Sequence, residues 1–471
     1  MVTDIFNTPI IEHLKKYLQE KNLRLHMPGH KGKPVLPEDN LVISDIYGID
    51  VTEVPGLDDL HNPGGMIAES EELIAAKFGA NASYFLINGA TAGIQASFLS
   101  TCTPGEEVLI PRNSHKSVLA SLFFTGAKPV YVPIEFHKEY GIPLGVNIHS
   151  LNRKNLQNIK VIFNVRPTFE GIVQPLLMNE SDCTQIVDEA HGGHFKFSNA
   201  FPASSIDLGG DYIVQGTHKT LGSLTQTGLL HASARVDKAK LRQTLALVQS
   251  TSPSYVLLAS LELMRYNIEK NGERLIANCL EAADYIRKKV NEINGFHCLL
   301  PEEVAPRELD PTKIVIFSNK LNGYDLDRVL REGYGIQVEM AQINYIVAMI
   351  TINDTIETGK VFVDAIRDIG KRFKDENVDI KCSVKMPPIP TQKKLPREAL
   401  FADKRKVKIE EAIGCVSRET FCPYPPGIPV IYPGELITED VVEYIKYIKT
   451  SGGHWQGFSD KGLNTILIVD E

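Results

Sequence analysis

The octapeptide Gln215-Gly216-Thr217-His218-Lys219-Thr220-Leu221-Gly222 directly follows an apolar run, Tyr212 to Val214. A lysine at a strand end, set among small and hydroxyl residues, can have its amine partly desolvated and its pKa lowered, which suits an imine-forming nucleophile. Upstream, Ile186-Val187-Asp188-Glu189-Ala190-His191 closes a second apolar strand with a carboxylate. An aromatic imine drains electrons from its substrate only while its ring nitrogen stays protonated, and a fixed buried carboxylate facing that nitrogen favours the charged form. Asp188 is the candidate for that partner. Ala190, two residues on and on the same side of an extended chain, is small enough for a ring to lie flat against it.

Two further turns complete the set. Asn88-Gly89-Ala90-Thr91-Ala92-Gly93 joins a predicted strand, Tyr84 to Ile87, to a predicted helix ending at Thr101. Such a turn offers backbone N–H groups and a positive dipole end to a phosphate, with the Thr91 hydroxyl as an added donor. After the strand Glu107 to Pro111 comes Arg112-Asn113-Ser114-His115-Lys116-Ser117, whose His115 can lay its imidazole over the other ring face. All four sites fall at carboxyl ends of strands, where open α/β sheets bind ligands. Together they point to pyridoxal 5'-phosphate carried on Lys219. Taken singly, Asp188 also fits a capping carboxylate, His115 a loop histidine and Thr91 an ordinary N-cap; their joint order argues for a site.

Other chemistries fit less well. Gly89-Ala90-Thr91-Ala92-Gly93 has the outline of a nucleophile elbow, with threonine where serine is usual. Asp188, Glu189, His191 and His194 lack the helical spacing of a metal site, so no metal is expected. Gly29-His30-Lys31-Gly32-Lys33 lacks the glycine spacing and following hydroxyl of a P-loop.

Positioning these residues requires a parallel α/β sheet, and residues 67 to 235 alternate short apolar runs with helical patterns as such a sheet demands. Strands are predicted at Tyr84 to Ile87, Glu107 to Pro111, Pro129 to Pro133, Lys160 to Asn164, Gln185 to Asp188, Tyr212 to Gln215 and Gly228 to His231. Helices are predicted at Glu69 to Phe78, Thr91 to Thr101 and Lys116 to Phe124. Ser254 to Asn267 and Glu273 to Ile293 read as two helices parted at Asn271-Gly272. A boundary near residue 305 separates a large domain (1–305) from a smaller C-terminal α/β domain (306–471). The latter has strands Lys313 to Phe317 and Val347 to Ile352 and helices Asp325 to Glu332 and Thr355 to Phe373, with a proline-rich connector near 386–396. The basic stretch Lys393 to Lys408 reads as a solvated face.

The whole has 471 residues, 43% hydrophobic and 23% charged, enough for more than one core. A formal charge of -8 argues against nucleic-acid or membrane-surface partners and for a small, cationic ligand. Seven scattered cysteines without a CxxC pair fit a reducing cytoplasm. Asn7-Thr8-Pro9 followed by Ile10, Ile11, Leu14 and Leu18 reads as a capped amphipathic helix rather than a signal peptide.

With these residues in view the chain resembles the bacterial Orn/Lys/Arg decarboxylase family, fold-type-I enzymes that remove CO2 from basic amino acids. The resemblance runs, in order, through Leu25-His26-Met27-Pro28-Gly29-His30-Lys31-Gly32, Gly56-Leu57-Asp58-Asp59-Leu60-His61, the Ala90 to Gly93 turn, the Arg112 to Ser117 segment, Asp188-Glu189-Ala190-His191-Gly192, Thr217 to Gln226, Thr251-Ser252-Pro253-Ser254-Tyr255, and Pro423 to Pro429 with Pro433-Gly434-Glu435. It implies that Lys219 is the Schiff-base lysine, Asp188 the partner of the pyridine nitrogen and His115 the stacking residue. Thr91, Ala92, Thr217 and His218 become phosphate contacts, Thr168 a neighbour of the phenolic oxygen, and His191 and Ala190 further cofactor contacts. Ser252 and Ser254 are expected to reach a neighbouring subunit's site, and Glu435 and Glu339 to meet the substrate's distal cation. Ala90 stands where members often carry a hydroxyl residue, which removes one phosphate donor. The chain starts almost at the decarboxylase motif, without the N-terminal wing of long members, so a homodimer or dimer of dimers is expected. Biosynthetic arginine decarboxylation in polyamine metabolism is the favoured activity, with lysine or ornithine as other substrates. An aminotransferase of the same fold and a cofactor-binding homologue without turnover are the competing readings.

Overall fold

The computed structural model describes residues 7–19, 46–146, 157–177, 183–377, 386–423, 428–450 and 454–470. The motif at 25–32, the glycine-lysine segment at 29–33 and residues 424–427 lie outside the described residues. By its contacts the chain divides into two compact units, Met1–Ser100 with Ile186–Ile276, and Thr101–Gln185 with Ala277–Glu471.

In the first unit the strands Ala82–Leu86, Gly228–Ala232, Tyr212–Gln215 and the strand ending at Asp188 lie side by side in that order. The first two pairings are antiparallel, and Ile186 to Asp188 pairs in parallel with Tyr212 to Val214. The last three strands are buried nearly throughout, which is why they read as continuous apolar runs rather than as alternating ones. Helix Met66–Phe78 stops at Gly79, whose φ of 71° is the left-handed conformation that ends helices cheaply at glycine. The N-terminal helix, Pro9–Gln19, forms as its spacing predicts, burying Ile10 and Leu14. Its first N–H groups are capped from elsewhere in the unit, because Glu262 accepts from Ile10 N at 3.1 Å and Ile11 N at 2.9 Å.

In the second unit Glu107–Pro111 pairs in parallel with both Lys128–Val132 and Ile159–Val165. A separate antiparallel sheet orders Phe296–Cys298, Lys313–Ser318, Tyr345–Met349 and Met340–Ala341. Alternation along Lys313–Ser318 sorts its two faces: Ile314 and Ile316 pack with helices Gly323–Tyr334 and Ile356–Arg372, while Val315 and Phe317 pack with Ile142, Ile172 and Leu299. Near the C-terminus, helix Glu439–Thr450 shares a core with the antiparallel pair Lys404–Lys408 and Thr465–Val469. In that pair Lys404, Arg405, Lys406 and Lys408 are exposed and Val407 turns inward, so this part of the basic stretch is a solvated strand face. Residues 386–390 form no helix or strand, as five residues with three prolines require.

One expectation is overturned. Tyr255–Asn291 is a single helix of 37 residues rather than two parted at Asn271-Gly272. A glycine inside a helix costs only about 1 kcal/mol. Asn271 meanwhile donates to Asn267 Oδ1 at 2.8 Å, one turn back along the same helix, and so works with the helix instead of capping a break.

Candidate active site

Lys219 lies in a single helical turn, Thr217–Thr220, that begins where the strand Tyr212–Gln215 ends. Its Nζ is 3.0 Å from Nε2 of buried His191. A Cβ at Gly216 would stand 3.0 Å from the Ala190 carbonyl oxygen and 3.3 Å from Lys219 Cδ, so glycine there leaves room for the lysine stem. Asp188, on the neighbouring strand, is buried, and its Oδ1 accepts from Ala190 N at 3.1 Å. Burial raises its pKa above the ordinary 3.8, with the Lys219 charge and the Ala190 hydrogen bond opposing that rise. Ala190 is buried two residues further on.

The turn at Ala90 to Gly93 is the first turn of helix Gly89–Thr101, with Thr91 exposed and Ala92 buried. Gly89 has φ 75°. A Cβ at Gly93 would fall 2.7 Å from Leu86 Cδ1 and 2.8 Å from Val214 Cγ1, so this glycine lets the helix start settle onto the strands on either side. The first-turn amides of a helix have no intrahelical acceptor, so this helix start, in the same unit as Lys219 and Asp188, is suited to a phosphate. Thr217 is fully buried and its hydroxyl accepts from Ser223, which in turn accepts from Thr227, both at 2.7 Å. His218 Nδ1 donates to the Thr227 carbonyl at 2.6 Å, which orients its ring.

Other residues expected at the site belong to the second unit. His115 is half-buried, and its Nδ1 accepts from Ser117 N at 3.2 Å, so the neutral ring carries its proton on Nε2. Thr168 is buried in the turn after Ile159–Val165, where its Oγ1 accepts from Ile172 N at 3.2 Å. Glu339 is exposed, its amide paired with Val347 O at 2.9 Å. Glu435 has 0% exposure and already has a partner. Arg112 Nη1 and Nη2 donate to its two oxygens at 2.6 and 2.8 Å, and Tyr432 N donates to Oε2 at 2.8 Å. The guanidinium also lies 5.0 Å and 4.7 Å from the ring centroids of Tyr131 and Tyr432. This geometry gives Glu435 an ion pair inside the chain in place of a ligand.

Sequence reasoning missed a buried chain of hydrogen bonds behind Lys219. Glu189 Oε1 accepts from Gln215 Nε2 at 2.7 Å and from Ser204 Oγ at 3.1 Å, and Oε2 accepts from Ser205 N at 2.7 Å. Gln215 Oε1 then faces His231 Nε2 at 3.1 Å, and His231 Nδ1 faces Ser83 Oγ at 2.7 Å. The directions are forced: a carboxylate only accepts, so the Gln215 amide nitrogen points to it, its oxygen accepts from His231 Nε2–H, and Nδ1 accepts the Ser83 hydroxyl. Burial lowers the His231 pKa to about 3, consistent with a neutral ring. The chain crosses from Asp188's neighbour to the strand that leads into Lys219. His231, a lone polar residue in Gly228-Leu229-Leu230-His231-Ala232, was its one visible signal.

Comparison with known proteins identifies the family and the fold. The family description "Orn/Lys/Arg decarboxylase, major domain" matches residues 8–358, and "Orn/Lys/Arg decarboxylase, C-terminal domain" matches 377–464. An arginine decarboxylase of Bacillus anthracis is 33% identical over 99% of this chain and 98% of its own length; one of Bacillus subtilis (strain 168) is 33% identical over 98% of each. The crystal structure of the Francisella novicida lysine decarboxylase superposes with a TM-score of 0.87 at 20% identity, covering 99% of this chain and 81% of that one. The fold is therefore the α/β fold-type-I architecture, and the chain belongs to the Orn/Lys/Arg decarboxylase family.

Proposed function

We propose that this protein removes the carboxylate of a basic amino acid as CO2, acting on arginine in preference to lysine or ornithine, with pyridoxal 5'-phosphate held on Lys219. The observation that carries this reading is the Lys219 Nζ to His191 contact of 3.0 Å beside the buried carboxylate of Asp188. These residues fit the cofactor. Asp188 is a buried anion with one backbone hydrogen bond, suited to a cationic ring nitrogen, and the start of helix Gly89–Thr101 is an anion cradle in the same unit. When bound, pyridoxal 5'-phosphate supplies the electron sink for the pair released as the Cα–carboxylate bond breaks.

The chain's own groups do the rest. Lys219 provides the amine that attaches the cofactor, and His191 Nε2 exchanges a proton with Nζ, so that the amine attacks uncharged and later returns a proton to Cα. Asp188 keeps a proton on the ring nitrogen. Thr91 and the N–H groups of the helix start hold the phosphate; with alanine at position 90 one hydroxyl donor is missing, and a hydrogen bond to a charged group is worth about 1.5–3 kcal/mol. His115 and Thr168 keep the roles the family resemblance implies, at the ring face and near the phenolic oxygen. The distal cation is assigned to Glu339 rather than Glu435, whose oxygens are already taken by Arg112. A homodimer in the cytoplasm belongs to the same reading, with Ser252 and Ser254 reaching the neighbouring site. Among the described residues no helix is long and apolar enough to cross a membrane.

Arginine is favoured because three relatives that are 33–34% identical along nearly the full length are named arginine decarboxylases. The test is a side-by-side measurement of CO2 and amine from arginine, lysine and ornithine with added pyridoxal 5'-phosphate. Agmatine and CO2 from arginine at the highest kcat/KM is the expected result. A keto acid formed with consumption of an amino acceptor would make the protein an aminotransferase, and silence on all three despite cofactor loading would make it a binding homologue.

A further inference from the structure

The second unit contains a cavity of about 670 Å³, within the range that small-molecule sites occupy. Its walls are largely apolar, but one charged side chain at its lining is unusual. Glu170 is 1% exposed, its Oε1 accepts from Tyr345 Oη at 2.8 Å, and its Oε2 is buried without a hydrogen-bond partner. An acceptor left unmet inside a protein costs on the order of 1–3 kcal/mol, more when it is ionised, and its field favours a cation held in the adjoining cavity.

What surrounds Glu170 limits the chemistry of that ligand. Tyr345 is buried against it, and Tyr324, Tyr444 and Tyr447 line the same cavity, the last two with ring centroids 6.4 Å apart. Phenol rings present negative faces to a cation. Arg112 also reaches the lining, but its guanidinium is already paired with Glu435 and with the Val430 carbonyl, so it does not claim an anion. Burial raises the Glu170 pKa, opposed by hydrogen bonds from Tyr345, its own amide and Thr168 and by the field of Lys313, whose ammonium lies over the Phe169 ring, 5.4 Å from the centroid. His137 and Lys138 are also at the lining, and Lys138 is exposed to solvent. A ligand with a cationic head and an apolar stem satisfies both the carboxylate and the greasy wall formed by residues such as Pro143 and Ile448. An anion would be repelled by the Glu170 carboxylate, and a purely apolar ligand would gain nothing from its field or from the ring faces.

We infer that this cavity is a binding site for an organic cation with an alkyl stem, its head seated against Glu170 and the tyrosine rings. No bond is made or broken there. The inference does not depend on Lys219, and its test is chosen so that the two stand or fall apart.

Hexyltrimethylammonium is a suitable probe, because it has no primary amine and therefore cannot be joined to an aldehyde cofactor. Titration calorimetry on the full-length, cofactor-loaded protein is expected to give one site per chain. Affinity is expected to drop by roughly tenfold or more in Glu170→Gln and in Tyr444→Ala, to stay within about threefold in Tyr444→Phe, which keeps the ring, and to be unchanged in Lys219→Ala. Thermal denaturation checks that each variant is folded; should Glu170→Gln fail that check, Tyr444→Ala against Tyr444→Phe decides. Absence of binding to the wild type overturns the proposal, as does affinity indifferent to the folded variants or binding that disappears with Lys219.

Discussion

Arg112 gives both terminal nitrogens to the two oxygens of Glu435 at 2.6 and 2.8 Å, whereas Lys219 touches a histidine at 3.0 Å and leaves Asp188 with a single backbone hydrogen bond. Each region sets a basic residue near a buried carboxylate, and each begins at the carboxyl end of an apolar strand. The difference lies in what remains unsatisfied. Around Arg112 every strong partner is in place, with two aromatic rings against the guanidinium, and a closed pair of that kind holds a fold together. Around Lys219 the carboxylate of Asp188 accepts one backbone hydrogen bond and the amine has an imidazole nitrogen as its neighbour, an arrangement suited to exchanging a proton. Residue type and burial do not separate a staple from a reactive centre; the hydrogen-bond ledger does.

The contrast can be broken most forcefully at Asp188. Asp188→Asn is expected to lower kcat by roughly 10²- to 10⁴-fold, the range that positioned proton donors and acceptors contribute. The same substitution has a stability signature of opposite sense. Because the folded pKa of Asp188 lies above 3.8, its contribution to stability is intact below that pH and is lost as pH rises through the raised value. Cofactor-free Asp188→Asn should therefore lose less stability than the wild type between acid and neutral pH in denaturant titrations. An unchanged kcat, or a steeper loss with pH, would place Asp188 with the staples.

At Glu435 the opposite is expected. Glu435→Gln strands a buried guanidinium and should destabilise the second unit by about 3–5 kcal/mol, read as a lower urea midpoint at unchanged slope. A raised KM for arginine with stability untouched would instead return Glu435 to the substrate.

A third test concerns the scaffold behind Lys219. His231 is held neutral by burial, with a pKa of about 3 against an ordinary 6.5, so the stability it supports is present above pH 6.5 and fades as pH falls towards 3. Across that window the loss should amount to roughly 3–5 kcal/mol, and His231→Gln should flatten the acid limb of the stability curve. An acid limb identical in both proteins would remove the histidine from the account. The smallest expected effect lies in neither region. Gly272→Ala should stabilise the protein by about 0.5–1 kcal/mol, since the residue is helical and an added Cβ meets Ile268 Cγ2 at an ordinary 3.5 Å. A loss there would mean the glycine serves a purpose the helix does not reveal.

Much of the site could be read from the chain before any fold was known, because its signals are local. Asp188 closes one apolar strand and Lys219 follows another in the next helical turn, and the strands Glu107–Pro111 and Tyr212–Gln215 form at the bounds their composition implies. What escaped was non-local. Arg112 and Glu435 are 323 residues apart, and nothing near either names the other. Glu189 sits one residue from Asp188, yet its function depends on Gln215 and on two serines that approach only in the folded unit. Asn271-Gly272 failed in the other direction: a local turn signal was overruled because the residues on both sides belong to one helix whose stability exceeds the cost of one glycine. The pairing of Lys404–Lys408 with Thr465–Val469 was likewise hidden, since an exposed basic strand alternates too weakly to stand out from a charged loop.

The central claim concerns the covalent role of residue 219, and peptide mapping addresses it most directly. The protein is incubated with pyridoxal 5'-phosphate, reduced with borohydride, digested and analysed by mass spectrometry. The account predicts a reduced pyridoxyl adduct on the peptide containing Lys219, absent from Lys219→Ala, which also loses decarboxylation by on the order of 10⁴-fold or more. An adduct on a different lysine, or a Lys219→Ala protein that stays yellow and active, would contradict it.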